Sequence, residues 1–296
     1  MTDVAQEEAV SVAPEAQVPP GASKESAALG LVRPEVTKPR SRSGRWTVTL
    51  RMLVPAAVLG LWWLLTGTGV IPATKLSSPA TTWDTLVNLL LHQDLLGDLG
   101  ISVARAATGL AIGASIGLAL GITVGLFSLG EELIDSSMQM FRTVPFPAVI
   151  FLFIVWFGIG ETAKIALIAL ATLFPMYLNA SNGVRNVDRK VVEAARSFGL
   201  RGRQLVRHVV IPLAMPSILT GLRFATGISV IALVFAETIN ANKGIGYLVS
   251  QAASFNQVPV LVVCIIVYAL LGIVADLLVR LLERSLMPWR GQVAVR

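Results

Sequence analysis

Between Asp188 and Pro212 the chain reads DRKVVEAARSFGLRGRQLVRHVVIP, a short basic stretch set between segments apolar enough to cross a bilayer. Asp188 suits a helix N-cap and Gly199 a helix stop, which predicts a helix of about ten residues between them. At helical spacing Val191, Val192, Ala195 and Phe198 share one apolar side, while Arg189, Lys190, Glu193 and Arg196 take the rest. Gly199 turns the chain into a second basic amphipathic segment, Arg201 to Val209, and Pro212 is expected to open the next span. A helix of this kind at a membrane surface either lies on lipid or docks in a groove of another protein.

Outward from that stretch the chain is strongly apolar. Its 296 residues are 54% hydrophobic and 14% charged, with a mean hydropathy of +0.71, whereas a soluble domain carries about a quarter charged residues. The apolar residues gather in runs of roughly 20, which is bilayer length. The expected fold is therefore an all-α polytopic membrane protein. Six spans are expected, at about 47–66, 101–127, 136–157, 163–182, 213–237 and 259–282, within one transmembrane domain over 46–290. Residues 1–45 hold no aromatic side chain and are rich in Pro, Ser, Ala and Glu, a composition expected to remain disordered.

The basic residues orient these spans. Seven Lys and Arg lie from Lys24 to Arg51, seven from Arg185 to Arg207 and four from Arg280 onward, 18 of the 24 in the chain. That asymmetry predicts both termini, and the Asp188–Pro212 stretch, on the cytoplasmic side. Outside, Ser78 is expected to cap a small helix, with Pro79 in its first turn and Trp83, Leu86, Val87 and Leu90 along the membrane surface. The second span carries Gly109, Gly113, Gly117, Gly121 and Gly125, a small-residue stripe that admits another helix at close range. The third is interrupted by Pro145 and Pro147, giving either a kink or backbone that lines a passage.

Glu193-Ala194-Ala195, three residues, Gly199, nine residues, then Val209-Val210-Ile211-Pro212 resembles the EAA signature of ABC importer permeases, with Val209 for Ile and Ile211 for Leu. The stretches TVPFPAVIFLFIVWFGIGETAKI, GVRNVDRKVVEAARSFG, PSILTGLRFATG and AETINANKGIGYL are similar to the nitrate/sulfonate/taurine branch of that family, over about Leu76 to Trp289. The resemblance implies a type I importer in a bacterial plasma membrane. Two copies of this subunit would join two cytoplasmic ATPase subunits and an extracytoplasmic substrate-binding protein, with ATP bound on the partner. It places the coupling helix at about 188–199, with Val192, Glu193, Ala194, Ala195, Phe198, Gly199 and Pro212 as its ATPase-facing residues. It also places Pro145 and Pro147 in the translocation pathway, and Arg142, Arg223 and Glu237 are expected to belong to that pathway as charges near or within the spans. The implied solute is a small oxyanion, aliphatic sulfonate first, with taurine, nitrate, bicarbonate or a neutral heterocycle as alternatives.

Residue chemistry narrows the remaining classes. No G-x-x-x-x-G-K-[ST] loop exists to cradle ATP phosphates. Gly113-x-Ser115-x-Gly117 matches a hydrolase motif in letters only, since His92 and His208 both lie outside the expected spans. One cysteine, Cys264, excludes an internal disulfide and a cysteine-built metal site. A secondary transporter would need coupling acids deep in the spans, and none is evident. No feature points to nucleic acid. Arg105 and Arg142 lie near span edges, where they can snorkel; Arg223 lies deeper, either lining the pathway or paired internally. With Glu237 and Asp276 placed toward span ends, the arginines suggest an unbalanced positive potential favouring anions. Lys243, the one cation of the outer loop Thr238–Val258, is expected to meet an acid on the binding protein.

Overall fold

In a computed structural model of the protein, residues 44–127 and 136–287 are described. The tail expected to be disordered thus falls almost wholly outside the described residues. Every regular element among the described residues is helical. In chain order these are α1 (Gly44–Gly67), α2 (Pro79–His92), α3 (Leu95–Leu126), α4 (Ser136–Arg142), α5 (Phe146–Phe157), α6 (Glu161–Arg185), α7 (Arg189–Ser197), α8 (Gly202–Leu205), a π-turn over Val206–Val210, α9 (Ile211–Asn240), α10 (Ile245–Ser254) and α11 (Val258–Leu286). Met1–Ala57 and Val58–Arg296 form two compact units. In the first, only the start of α1 is described.

Four of the six expected spans are helices long and apolar enough to cross a membrane: α3, α6, the run Gly202–Ile239 and α11. In α1 the described apolar portion is Leu53–Gly67. The span expected at 136–157 is two helices instead. Pro145 is extended, at φ −64° and ψ 106°, and Pro147 occupies the first turn of α5, so no continuous ladder passes between α4 and α5. The 12 residues of α5 reach about 18 Å, against a hydrocarbon thickness of about 30 Å.

The second unit is built on α6. The glycine stripe of α3 lies against it, so the close neighbour belongs to the same chain. A methyl group at Gly109 would lie 2.6 Å from Ile168 Cβ, one at Gly121 2.6 Å from Tyr177 O, and one at Gly125 2.7 Å from Val184 Cβ. At Gly113 it would overlap Ala169 O and Thr172 Oγ1. Each approach needs a side chain no larger than hydrogen. Another face of α6 meets α9, where Ser217 Oγ donates to Asn179 O at 2.7 Å and Gly183 admits Ser217. Ala114, Met176, Ala180, Val184, Val210, Ala214 and Ile218 fill the core that these three helices share.

Pro212 lies in the first turn of α9, as expected, but α9 continues without a break from what precedes it, since Gly202–Ile239 is one 38-residue helical run. The lost N–H and the ring clash are absorbed by the π-turn just before it, where Ile211 N bonds back five residues to Val206 O. Helix α2 is capped as expected: Ser78 Oγ accepts from Thr81 N at 3.2 Å. Its inward face, however, is Thr82, Leu86 and Leu89, which joins a core with Leu95, Ile245, Leu248, Val263 and Cys264. Trp83, Val87 and Leu90 stay exposed.

Candidate functional site

Two features lie at opposite ends of α6, the first of them α7. Asp188 Oδ1 accepts from Lys190 N at 2.8 Å, which fixes the helix start. At the other end Gly199 stands at φ +89°, Gly199 N donates to Arg196 O, and Leu200 N donates to Ala195 O. This paired closure is a Schellman motif, and it needs a left-handed residue at the glycine position. Phe198 is thereby presented at 89% exposure, with Val191 also exposed. Ala195 is only 9% exposed and Val192 half-buried. These two therefore do not extend the outward apolar face expected of them. Glu193 and Ala194 are exposed, and Glu193 Oε1 lies 3.3 Å from Arg189 Nε.

The second feature is a network of charges around Arg105 on α3. Glu237 of α9 is fully buried. It accepts from Ser102 Oγ (2.8 Å to each oxygen), Arg105 Nη1 (2.7 Å), Gly246 N (2.9 Å) and Tyr268 OH (3.3 Å). Arg105 Nη1 also donates to Lys243 O at 2.7 Å. The far edge of the same guanidinium grips Glu161 at the start of α6, Nε to Oε2 at 2.6 Å and Nη2 to Oε1 at 2.7 Å. Lys164 Nζ reaches Glu161 Oε1 at 2.8 Å. Asp98 Oδ1 accepts from Gly244 N and Ser102 Oγ from Ile245 N, so three side chains satisfy the first amides of α10. Gly244, at φ +111°, has no room for a methyl group between Glu237 and Arg105.

This geometry revises several expectations. Arg105 does not snorkel: it is 5% exposed and turned inward. Glu237 does not mark a helix end, since α9 runs on to Asn240, and it faces no open passage in this conformation. Arg223 is paired, its Nη2 donating to Glu283 Oε2 at 2.9 Å and its Nε lying 3.3 Å from Asp276 Oδ1. The unbalanced positive potential inferred from sequence is thus absent at Arg105 and Arg223, because acids distant in sequence converge on both. Arg142 closes α4, and its side chain lies outside the described residues. Lys243 is exposed beside a cleft of about 470 Å3 lined by Arg105, Glu161 and Lys164.

Bilayer-length helices joined by a glycine seam define a membrane-embedded protein, with an exposed phenylalanine beyond one end of α6 and a buried charge network at the other. The chain belongs to the family of binding-protein-dependent transport system inner membrane components, which matches residues 109–288. It is 50% identical over 236 residues to SsuC of Escherichia coli (strain K12), named as an aliphatic sulfonates transport permease protein, covering 80% of this chain and 90% of that one. SsuC of Bacillus subtilis (strain 168), named likewise, is 41% identical over 272 residues, 90% of this chain and 98% of that one. Among solved structures, the MetNI methionine ABC transporter in inward-facing conformations shares the fold at a TM-score of 0.53 and 21% identity, over 63% of this chain and 94% of that chain. The protein is thus the permease component of an ABC importer rather than a catalytic enzyme, and works with ATPase and substrate-binding partners.

Proposed function

We propose that this permease carries small oxyanions, aliphatic sulfonates first, through an importer powered by ATP bound on a separate subunit. Similarity to a sulfonate permease over 90% of that protein's length carries this reading. Two copies would form the passage, with both termini cytoplasmic. Closure of two ATPase subunits would move paired α7 helices and turn the cavity from inward- to outward-facing. The α7 surface assigned to the ATPase is centred on Phe198 and Val191, with Glu193 and Ala194 beside them, while Val192, Ala195 and Gly199 hold the helix in place. Pro212 fixes the π-turn behind it. Pro145 and Pro147 keep the backbone between α4 and α5 irregular where the pathway would run, with Arg142 close by. Lys243 faces the binding protein.

Uptake of labelled ethanesulfonate by proteoliposomes holding the complete importer tests the solute. ATP-dependent accumulation, competed by other alkanesulfonates, is expected. Accumulation of a neutral pyrimidine instead, with sulfonates failing to compete, would refute the assignment and leave the importer intact.

A further inference from the structure

We infer that the cleft beside Arg105 is a transit site for the oxyanion, and that the Glu161 carboxylate occupies it in the conformation seen. The argument starts from donor geometry and rests on the oxyanion reading above. Three strong donors converge on Glu161: Arg105 Nε, Arg105 Nη2 and Lys164 Nζ, all within 2.6–2.8 Å. A carboxylate has only two oxygens, and Glu161 Oε1 serves both Arg105 Nη2 and Lys164 Nζ. A group with three oxygens would give each donor its own acceptor, the arrangement in which charge-assisted bonds are strongest.

The two glutamates of the network differ in the way such an exchange requires. Glu237 is sealed and bonded to the backbone of α10, so it is fixed. Glu161 is 56% exposed while the Arg105 and Lys164 side chains it covers are each 5% exposed. Its own carboxylate is solvated when it swings into water, and its departure leaves the shielded Arg105 and Lys164 donors needing a replacement acceptor, which an arriving anion supplies. Lys243 stands at the mouth of the same cleft. With Glu161 withdrawn, Arg105, Lys164 and Lys243 face the space, and Glu237 offsets one of the three charges. Ile101 and Ile159 line the cleft as well and supply apolar contact for a short alkyl chain. At about 470 Å3 the space suits a small solute. An oxyanion arriving there would release Glu161, and Glu161 returning would help expel it, which keeps binding weak enough for passage.

The test is equilibrium binding of labelled ethanesulfonate, with nitrate and sulfate in parallel, to the permease–ATPase complex in nanodiscs without binding protein. Glu161→Gln keeps the side chain's size and removes the competing charge, so binding should tighten by about tenfold. Lys164→Gln should weaken it several-fold in a complex of unchanged melting temperature. Equal binding by wild type and Glu161→Gln, or none by either, would overturn the site and leave the network purely structural. Tighter docking of the binding protein to Glu161→Gln without tighter anion binding would overturn it too, assigning the donors to a partner's carboxylate. If nitrate alone responds to Glu161→Gln, the cleft stands and the sulfonate reading fails.

Discussion

Glu237 and Arg223 show how little a charged residue's position in a span says about its role. Glu237→Gln keeps the side chain's shape but leaves Arg105 paired with the half-exposed Glu161 alone. Breaking a buried pair costs about 3–5 kcal/mol, and the surviving Glu161 pair holds the loss to the lower end of that range. We expect a marked fall in the melting temperature of the purified complex, and a much smaller one, from a cost of about 1 kcal/mol, for Ser102→Ala. Calorimetry showing equal effects would separate Glu237 from the network. The sequence displayed Arg105, Glu161 and Glu237 individually, yet the separation of 132 positions between Arg105 and Glu237 hid their meeting. Ser102, Asp98 and Tyr268 carried no signal, being ordinary residues until α10 docks on them. Lys243 stands out in sequence for its ammonium group, but it is its backbone carbonyl that Arg105 holds.

At the scale of helices, periodicity was a better guide. The glycine stripe, the cap of α2 and both ends of α7 were legible because each depends on residues within a turn or two. The direction of the α7 apolar face was not, because burial of Ala195 depends on how the following segment folds back. Phe198→Asp should therefore release the ATPase while the permease stays in the membrane, measured by co-purification. Ala195→Asp should instead lower the amount of folded permease, since its carboxylate would be buried within the chain. If the Phe198→Asp complex co-purifies intact and transports, Phe198 is not the contact. Along α3, Gly113→Ala drives a methyl group into Ala169 O and should destabilise strongly, whereas Gly100→Ala meets nothing within 4 Å and should gain up to about 1 kcal/mol. Thermal unfolding of the two variants makes the comparison within one helix.

For the whole molecule, the balance of charge alters what selectivity can rest on. Arg223 joins α9 to α11 through Asp276 and Glu283, so Arg223→Gln should loosen that junction before it changes any anion's path. Adding Glu283→Gln should restore part of the lost stability, with a coupling of about 0.5–3 kcal/mol. Failure of the second substitution to rescue would show that the arginine acts elsewhere. Topology has its own test. In a Cys264→Ser background, Ser197→Cys on α7 and Ser254→Cys on α10 are both exposed positions. An impermeant maleimide added to right-side-out vesicles should label only Ser254→Cys, and labelling of Ser197→Cys would reverse the orientation. Six runs of apolar sequence were visible from composition, but which of them become full-length helices was decided by Pro145 and Pro147 in one case. In another, the π-turn let helix persist through Pro212.

The α3–α6 seam also sets a timetable for synthesis. When α3 leaves the ribosome its bare glycine edge has no partner, because Val184, which closes the seam at Gly125, lies about 60 residues later in the chain. At about 5–20 residues per second, that edge faces lipid or the insertion machinery for several seconds. During the same interval α5 emerges, too short to cross on its own. The protein's most vulnerable moment is therefore in its making: nascent chains halted before Tyr177 should be the ones that the cell's membrane quality control removes fastest.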